Sequence, residues 1–135
     1  MDDIIILSDD RAELERWLIA IQEKLALIGF VTHEKKTRIY SMKDCIRFLG
    51  FIFRTTPTGK VLMLMPGDKV RHERRKLRRM VNLAKLGEVT REKCDQCYES
   101  WRAHAKLGNT AKMLMKMDRY YNGLWRDEHA KEDLN

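Results

Sequence analysis

What the chain lacks narrows it first. No apolar run approaches the roughly 20 residues that span a bilayer, so a membrane-spanning protein is not expected. The opening MDDIIILSDD is acidic and has no basic start of a signal or transit peptide. Three cysteines are an odd count, which argues against a disulfide framework and for a reducing cytoplasm. Cys94 and Cys97 have metal-ligand spacing but no second pair, and His104 is the only nearby nitrogen ligand. A tetrahedral zinc site needs four ligands, so they read as ordinary thiols, with Cys94 in a helical core. Beyond Pro66-Gly67 there is no strand pattern at all.

What is present falls into two parts. The 135 residues suffice for one ordinary domain or two small ones. Ile4-Ile5-Ile6-Leu7 has the β-propensity of a buried strand. Over 10–28, Leu14, Leu18, Ile21, Leu25 and Ile28 form one helical stripe, with Asp10 and Glu13 as a capping box and Gly29 as the stop. Short strands are expected at 30–32 and 36–41. The run CIRFLGFIFRT (45–55) reads as one long strand that turns at TPTG and returns as KVLMLM (60–65), with Gly50 marking a bulge or a close backbone approach. Regular alternation would put Phe48 on the opposite face from Phe51 and Phe53.

After Pro66-Gly67 three helices follow. The first, 68–87, places Val70, Leu77, Val81 and Ala84 inward. The second starts near Thr90 and carries Cys94, Tyr98, Trp101 and Ala105. The third starts near Asn109 or Thr110 and carries Met113, Met117, Tyr120 and Leu124. Short loops make this an up-down-up bundle. AKLG closes the first two helices, at Gly87 and Gly108, and reads as shared stop chemistry. The fold class is therefore α+β: a helix with antiparallel strands, then a helical bundle.

Charge is concentrated. Of the net +7, residues 66–87 carry +6, from Lys69, Arg71, Arg74, Arg75, Lys76, Arg78, Arg79 and Lys85 against Asp68 and Glu73. The arginines recur at three- and four-residue spacing, away from the apolar side. Like charges so placed repel, and a polyanion would compensate them. That points to phosphate contacts by Lys69, Arg71, Arg74, Arg75, Arg78 and Arg79.

Asp2 and Asp3 allow three readings from the residues alone: a solvated end, a local cap, or half of a metal site. The motif order favours the third. An acidic pair leads into a strand, a helix, GFVTHEKKTRI (29–39), FLGF (48–51) and SWRAHAKLGNT (100–110). In order and spacing this resembles the C-terminal half of a reverse transcriptase of the bacterial retroelement type, the group of group II intron proteins, retrons and diversity-generating elements. Met1-Asp2-Asp3 look like the end of its Tyr-x-Asp-Asp turn, and His33 stands where the family has Asn.

The resemblance implies residues 1–65 as the end of a palm, 66–127 as a three-helix thumb and 128–135 as a polar tail. It implies Asp2 and Asp3 as half of a Mg²⁺ (or Mn²⁺) site for two cations about 3.5–4 Å apart. Lys36, with Lys35 competing, would lie beside the triphosphate, and Phe48, Leu49 and Gly50 would form a primer grip. Expected partners are an RNA template, a DNA primer, deoxynucleoside triphosphates and the missing fingers and palm half. With half a metal site, the isolated chain is expected to be inactive, to bind no metal tightly and to form a homodimer through its uncovered face. Competing readings are a non-enzymatic nucleic-acid-binding module built on the basic bundle, and a remnant of a degraded element.

Overall fold

The computed structural model describes residues 3–126. Its elements run α1 (Arg11–Leu27), β1 (Ile46–Phe48), β2 (Phe51–Thr55), β3 (Val61–Leu64), α2 (Gly67–Lys85), α3 (Arg91–Ala105) and α4 (Ala111–Arg126). The α+β class is as expected, and the elements differ in instructive places.

α1 begins as its sequence dictates. Asp10 Oδ1 accepts from the Ala12 N–H at 2.8 Å. The reciprocal half of the capping box is relayed: Ser8 Oγ takes the Asp10 N–H and donates to Glu13 Oε2 at 2.6 Å. Gly29, at φ +80°, ends the helix, with Gly29 N–H to Ala26 O and Phe30 N–H to Leu25 O. Leu14, Leu18, Ile21 and Leu25 are half-buried, but Ile28 is exposed and α1 has no buried residue.

The expected strands at 4–7, 30–32 and 36–41 are absent among the described residues. A strand exists by pairing, and propensity without a neighbouring ladder leaves it irregular. Ile4 and Leu7 are 71% and 73% exposed. Thr32 is held only side chain to side chain, taking a bond from Gln22 Nε2 at 3.1 Å.

The expected long strand 45–55 is two strands. Leu49 and Gly50 have φ +46° and +86°, a two-residue type I′ turn. Gly50 is thus a turn residue and not a bulge. The register pairs Phe48 with Phe51 and Ile46 with Phe53. Cross-strand partners share a face, so Phe48, Phe51 and Phe53 point together, which regular alternation along one strand would forbid and a break at Gly50 permits. β3 adds on the other side of β2, giving an antiparallel order β1-β2-β3. Its turn is the expected one, with Gly59 at φ +80° and a Thr56 N–H to Lys60 O bond.

The three helices form the bundle. Leu77 and Val81 from α2, Cys94 and Tyr98 from α3, and Met117 and Tyr121 from α4 make one buried cluster. On α4 the buried set is Leu114, Met117 and Tyr121, with Met113, Tyr120 and Leu124 half-buried at its edge. The face is rotated slightly from the expected one. Two Tyr–Asp bonds cross between α3 and α4 in opposite senses. Tyr98 Oη donates to Asp118 Oδ1 and Tyr121 Oη to Asp95 Oδ1, both at 2.6 Å. Burial and these carboxylates push both phenols well above their usual pKa.

The two AKLG stretches end their helices differently. Gly87, at φ +77°, closes α2 with Glu88 N–H to Leu83 O, and a Cβ there would meet nothing. Gly108 has no positive φ. A Cβ on it would stand 2.6 Å from Met63 O and 3.1 Å from the Phe51 ring. Shared stop chemistry is therefore corrected: Gly87 serves backbone conformation, and Gly108 serves close approach to the sheet.

Candidate nucleic-acid interface

The sheet and the bundle are fastened at three points, and the charged surface is built around them. First, Gly108 lets the α3–α4 loop lie against β3. Asn109 then pairs with Met63 as a strand would, its N–H to Met63 O at 2.7 Å and its Oδ1 taking the Met63 N–H at 2.9 Å. Thr110 Oγ1 closes the loop on Ala105 O at 2.6 Å. Second, Arg47 of β1 reaches Asp68 in the first turn of α2 at 3.2 Å. The helix's own backbone N–H and then Arg47 hold the Asp68 carboxyl below its usual pKa. Third, the Leu49–Gly50 turn lies under Lys69 and His104. A Cβ on Gly50 would be 2.7 Å from Lys69 Nζ and 3.6 Å from His104 Nε2. The His104 ring rests on Phe51, centroids 4.9 Å apart.

From that junction α2 carries its cations away along one face. Arg71, Arg74, Arg75, Arg78 and Arg79 are all exposed, as is Lys69. Among the described residues no carboxylate forms an ion pair with any of them. Arg74 lies over the Tyr120 ring at 4.7 Å, and Tyr120 Oη donates to Arg74 O at 3.1 Å, so one arginine of the row is braced from α4. The opposite side of α2 is apolar except for Glu73, 4% exposed, with Oε1 unpaired by any hydrogen bond and Lys76 Nζ 3.8 Å away. Burial raises its pKa, with Lys76 and His72 pulling the other way. The pattern of charges did not reveal that this acid points inward.

Other expected site residues are placed as follows. Asp2 lies outside the described residues, and with it the Asp2–Asp3 pair and the relation of that pair to α2. Asp3 is exposed in irregular chain. Lys35 and Lys36 are exposed on a turn closed by Lys36 N–H and Thr37 N–H to His33 O, both 2.9 Å. Phe48 is half-buried, Leu49 is exposed at the turn tip and Gly50 lies beneath Lys69. Cys94 is buried and Cys97 half-buried. Among the described residues no three His, Cys, Asp or Glu side chains converge to hold a metal ion. Asp3 alone does not make a site for two hard cations, which need several oxygen ligands.

His104 and Asn109 are the residues that pattern reading under-used. Both sit in SWRAHAKLGNT, and their contacts are to the hairpin about fifty residues earlier. The resemblance of SWRAHAKLGNT to the family's thumb helix and turn points to the stretch without giving either residue a role, and the repeated AKLG looks like local stop chemistry.

Residues 1–53 match the family described as reverse transcriptase (RNA-dependent DNA polymerase). The match runs from the acidic opening through α1 and the Phe48–Phe51 turn into β2, and ends before the arginine helix. No curated protein and no solved structure matches the chain. No helix among the described residues is long and apolar enough to cross a membrane.

Proposed function

We propose that the chain is the palm end and thumb of an RNA-directed DNA polymerase of the bacterial retroelement type. In this reading the helical bundle holds the template–primer duplex for nucleotidyl transfer completed by residues outside the chain. Residues 1–65 are the palm portion and 66–127 the thumb. Asp2 and Asp3 contribute to a Mg²⁺ or Mn²⁺ site with carboxylates of the missing palm half, and Lys36 lies toward the incoming deoxynucleoside triphosphate. Alone, the chain is inactive. The exposed aliphatics of 4–7 and the outer side of α1 are the surface that the missing half, or a second copy, would cover.

One observation carries the reading. No arginine of the α2 face is ion-paired to a carboxylate among the described residues, and that face starts at the turn that the family match reaches. A helix fixed to that turn at its first residues would lay its cations along a polynucleotide leaving the turn. Phosphate contacts of this kind fix position and give steep salt dependence with little sequence preference.

The test is the salt slope of binding to an RNA–DNA hybrid. Replacing Arg74, Arg75, Arg78 and Arg79 by Ala should lower the slope of log K against log salt by about 3–4. An unchanged slope removes α2 from the interface. The non-enzymatic module is favoured instead if joining the chain to an upstream palm half restores no template-dependent synthesis.

A further inference from the structure

We propose that Lys69 and His104 form a two-donor clamp over Gly50 that holds one phosphodiester of the bound strand, so that the hairpin turn, the start of α2 and the end of α3 meet on a single phosphate. The inference rests on the nucleic-acid reading above and assigns to His104 a role that the motif order does not.

Four observations support it. Lys69 Nζ and His104 Nε2 stand over the same glycine, 2.7 and 3.6 Å from the position of its missing Cβ. A side chain at Gly50 would push the Lys69 ammonium from this position, and φ +86° disfavours one as well. Neither the Lys69 nor the His104 side chain has a hydrogen-bond or ion-pair partner among the described residues, and the nearby carboxylate, Asp68, is engaged by Arg47. The imidazole is oriented by Phe51, which is 1% exposed and fixed by the sheet, so the placement of Nε2 is not that of a free surface side chain.

The ligand chemistry follows. Two nitrogen donors that lack a counter-ion suit an anion with two oxygens a short distance apart, each taking one bond. A phosphodiester has such a pair of non-bridging oxygens. The site is open, with only two donors, so free phosphate would bind it weakly. A strand already held by the α2 arginines presents its phosphate at high effective concentration. Leu49 adds an exposed apolar tip in left-handed backbone, a conformation disfavoured for a residue with a Cβ, beside the clamp, where a sugar or base would rest.

The experiment uses the 135-residue chain and a labelled RNA–DNA hybrid whose DNA strand carries one neutral methylphosphonate linkage, moved stepwise from the 3′ end. In the unmodified protein one linkage position should weaken binding well beyond its neighbours. Lys69→Gln should lower the salt slope by about 1. In the Lys69→Gln/His104→Gln double variant the sensitive position should lose its distinction. Both residues are exposed, and an unchanged melting curve confirms the fold. Additive effects of the linkage and the double substitution at every position overturn the clamp. So does inorganic phosphate that competes at micromolar concentration through these two residues, since that would make the site one for a free anion. If the hybrid binds in an arginine-dependent way but these variants change nothing, the clamp alone fails. If the unmodified chain does not bind the hybrid, the proposed function fails with it.

Discussion

Residues 3–44 and residues 46–126 are built from similar apolar material, yet only the second part makes a core. α1 has a regular stripe of Leu14, Leu18, Ile21 and Leu25, and none of these is buried. α2 has fewer apolar positions and a row of cations, yet Leu77 and Val81 are almost completely enclosed. A stripe specifies which side of a helix seeks cover, and burial requires a second surface. α2 receives it from α3 and α4, whose Cys94, Tyr98, Met117 and Tyr121 close over it. α1 faces the irregular chain of 4–7, and Ile6, Trp17, Ile21, Leu25 and Ile28 line an open groove between them. Packing energy is therefore concentrated in the helical bundle, which the family match does not reach, although the match does include the buried Phe51.

The sharpest way to break this contrast is to cut the same side chain in each half. Leu77→Ala should cost about 2–5 kcal/mol, because a fully enclosed leucine leaves a cavity. Leu18→Ala should cost about 1 kcal/mol at most, since much of its surface is already wet. Urea unfolding followed by tryptophan fluorescence reads both, with Trp101 and Trp125 in the bundle and Trp17 on α1. Equal losses would mean that α1 is covered in solution, and concentration dependence of the Leu18→Ala effect would identify a second copy as the cover.

A smaller effect tests the polar link between α3 and α4. Asp118 accepts from Tyr98 and from Arg102 Nε at 2.9 Å. Arg102 above all, and then Tyr98 against the cost of burial, hold its carboxyl below the usual 3.8. Because the folded-state pKa is depressed, the stabilisation is present above the unfolded value near 3.8 and is lost as pH falls through the lower folded value. Asp118→Asn should cost about 1–2 kcal/mol near neutrality and flatten the acid limb of the stability curve below pH 4. An acid limb of unchanged steepness would assign it to other carboxylates.

How much of this was readable beforehand depends on what each signal needs. Helix ends are local, and Asp10, Gly29, Thr90 and Gly87 set them as their residue types predict. The bundle core follows from spacing, and the arginine face from charge, since both are properties of one helix. Strands at 4–7, 30–32 and 36–41 fail because pairing is not local. The FLGF turn was misread for the opposite reason. Leu-Gly is an unusual filler for a type I′ turn, where Asn-Gly or Asp-Gly is preferred, so composition favoured an unbroken strand. Gly108 and His104 illustrate the limit. Their reasons lie at Met63, Phe51 and Gly50, and nothing near them in sequence says so.

Glu73 gives the finest test of the contrast, because it is a charge placed on the side of α2 that the bundle encloses. Its carboxyl is nearly inaccessible and Oε1 has no hydrogen-bond donor. Desolvation raises its pKa above the ordinary 4.5 despite Lys76 and His72. For an acid with a raised folded-state pKa, the unfolded chain ionises first. The contribution of Glu73 to stability is therefore fully present below pH 4.5 and is lost as pH rises through the folded value. Glu73→Gln keeps the shape and removes the ionisation, so it should gain on the order of 1 kcal/mol at neutral pH and nothing below pH 4. A helix whose outer face already carries a dense row of cations would gain attraction from an ionised Glu73. If Glu73→Gln instead destabilises at neutral pH, that attraction outweighs desolvation, and the carboxylate is an internal counter-charge for the arginine row.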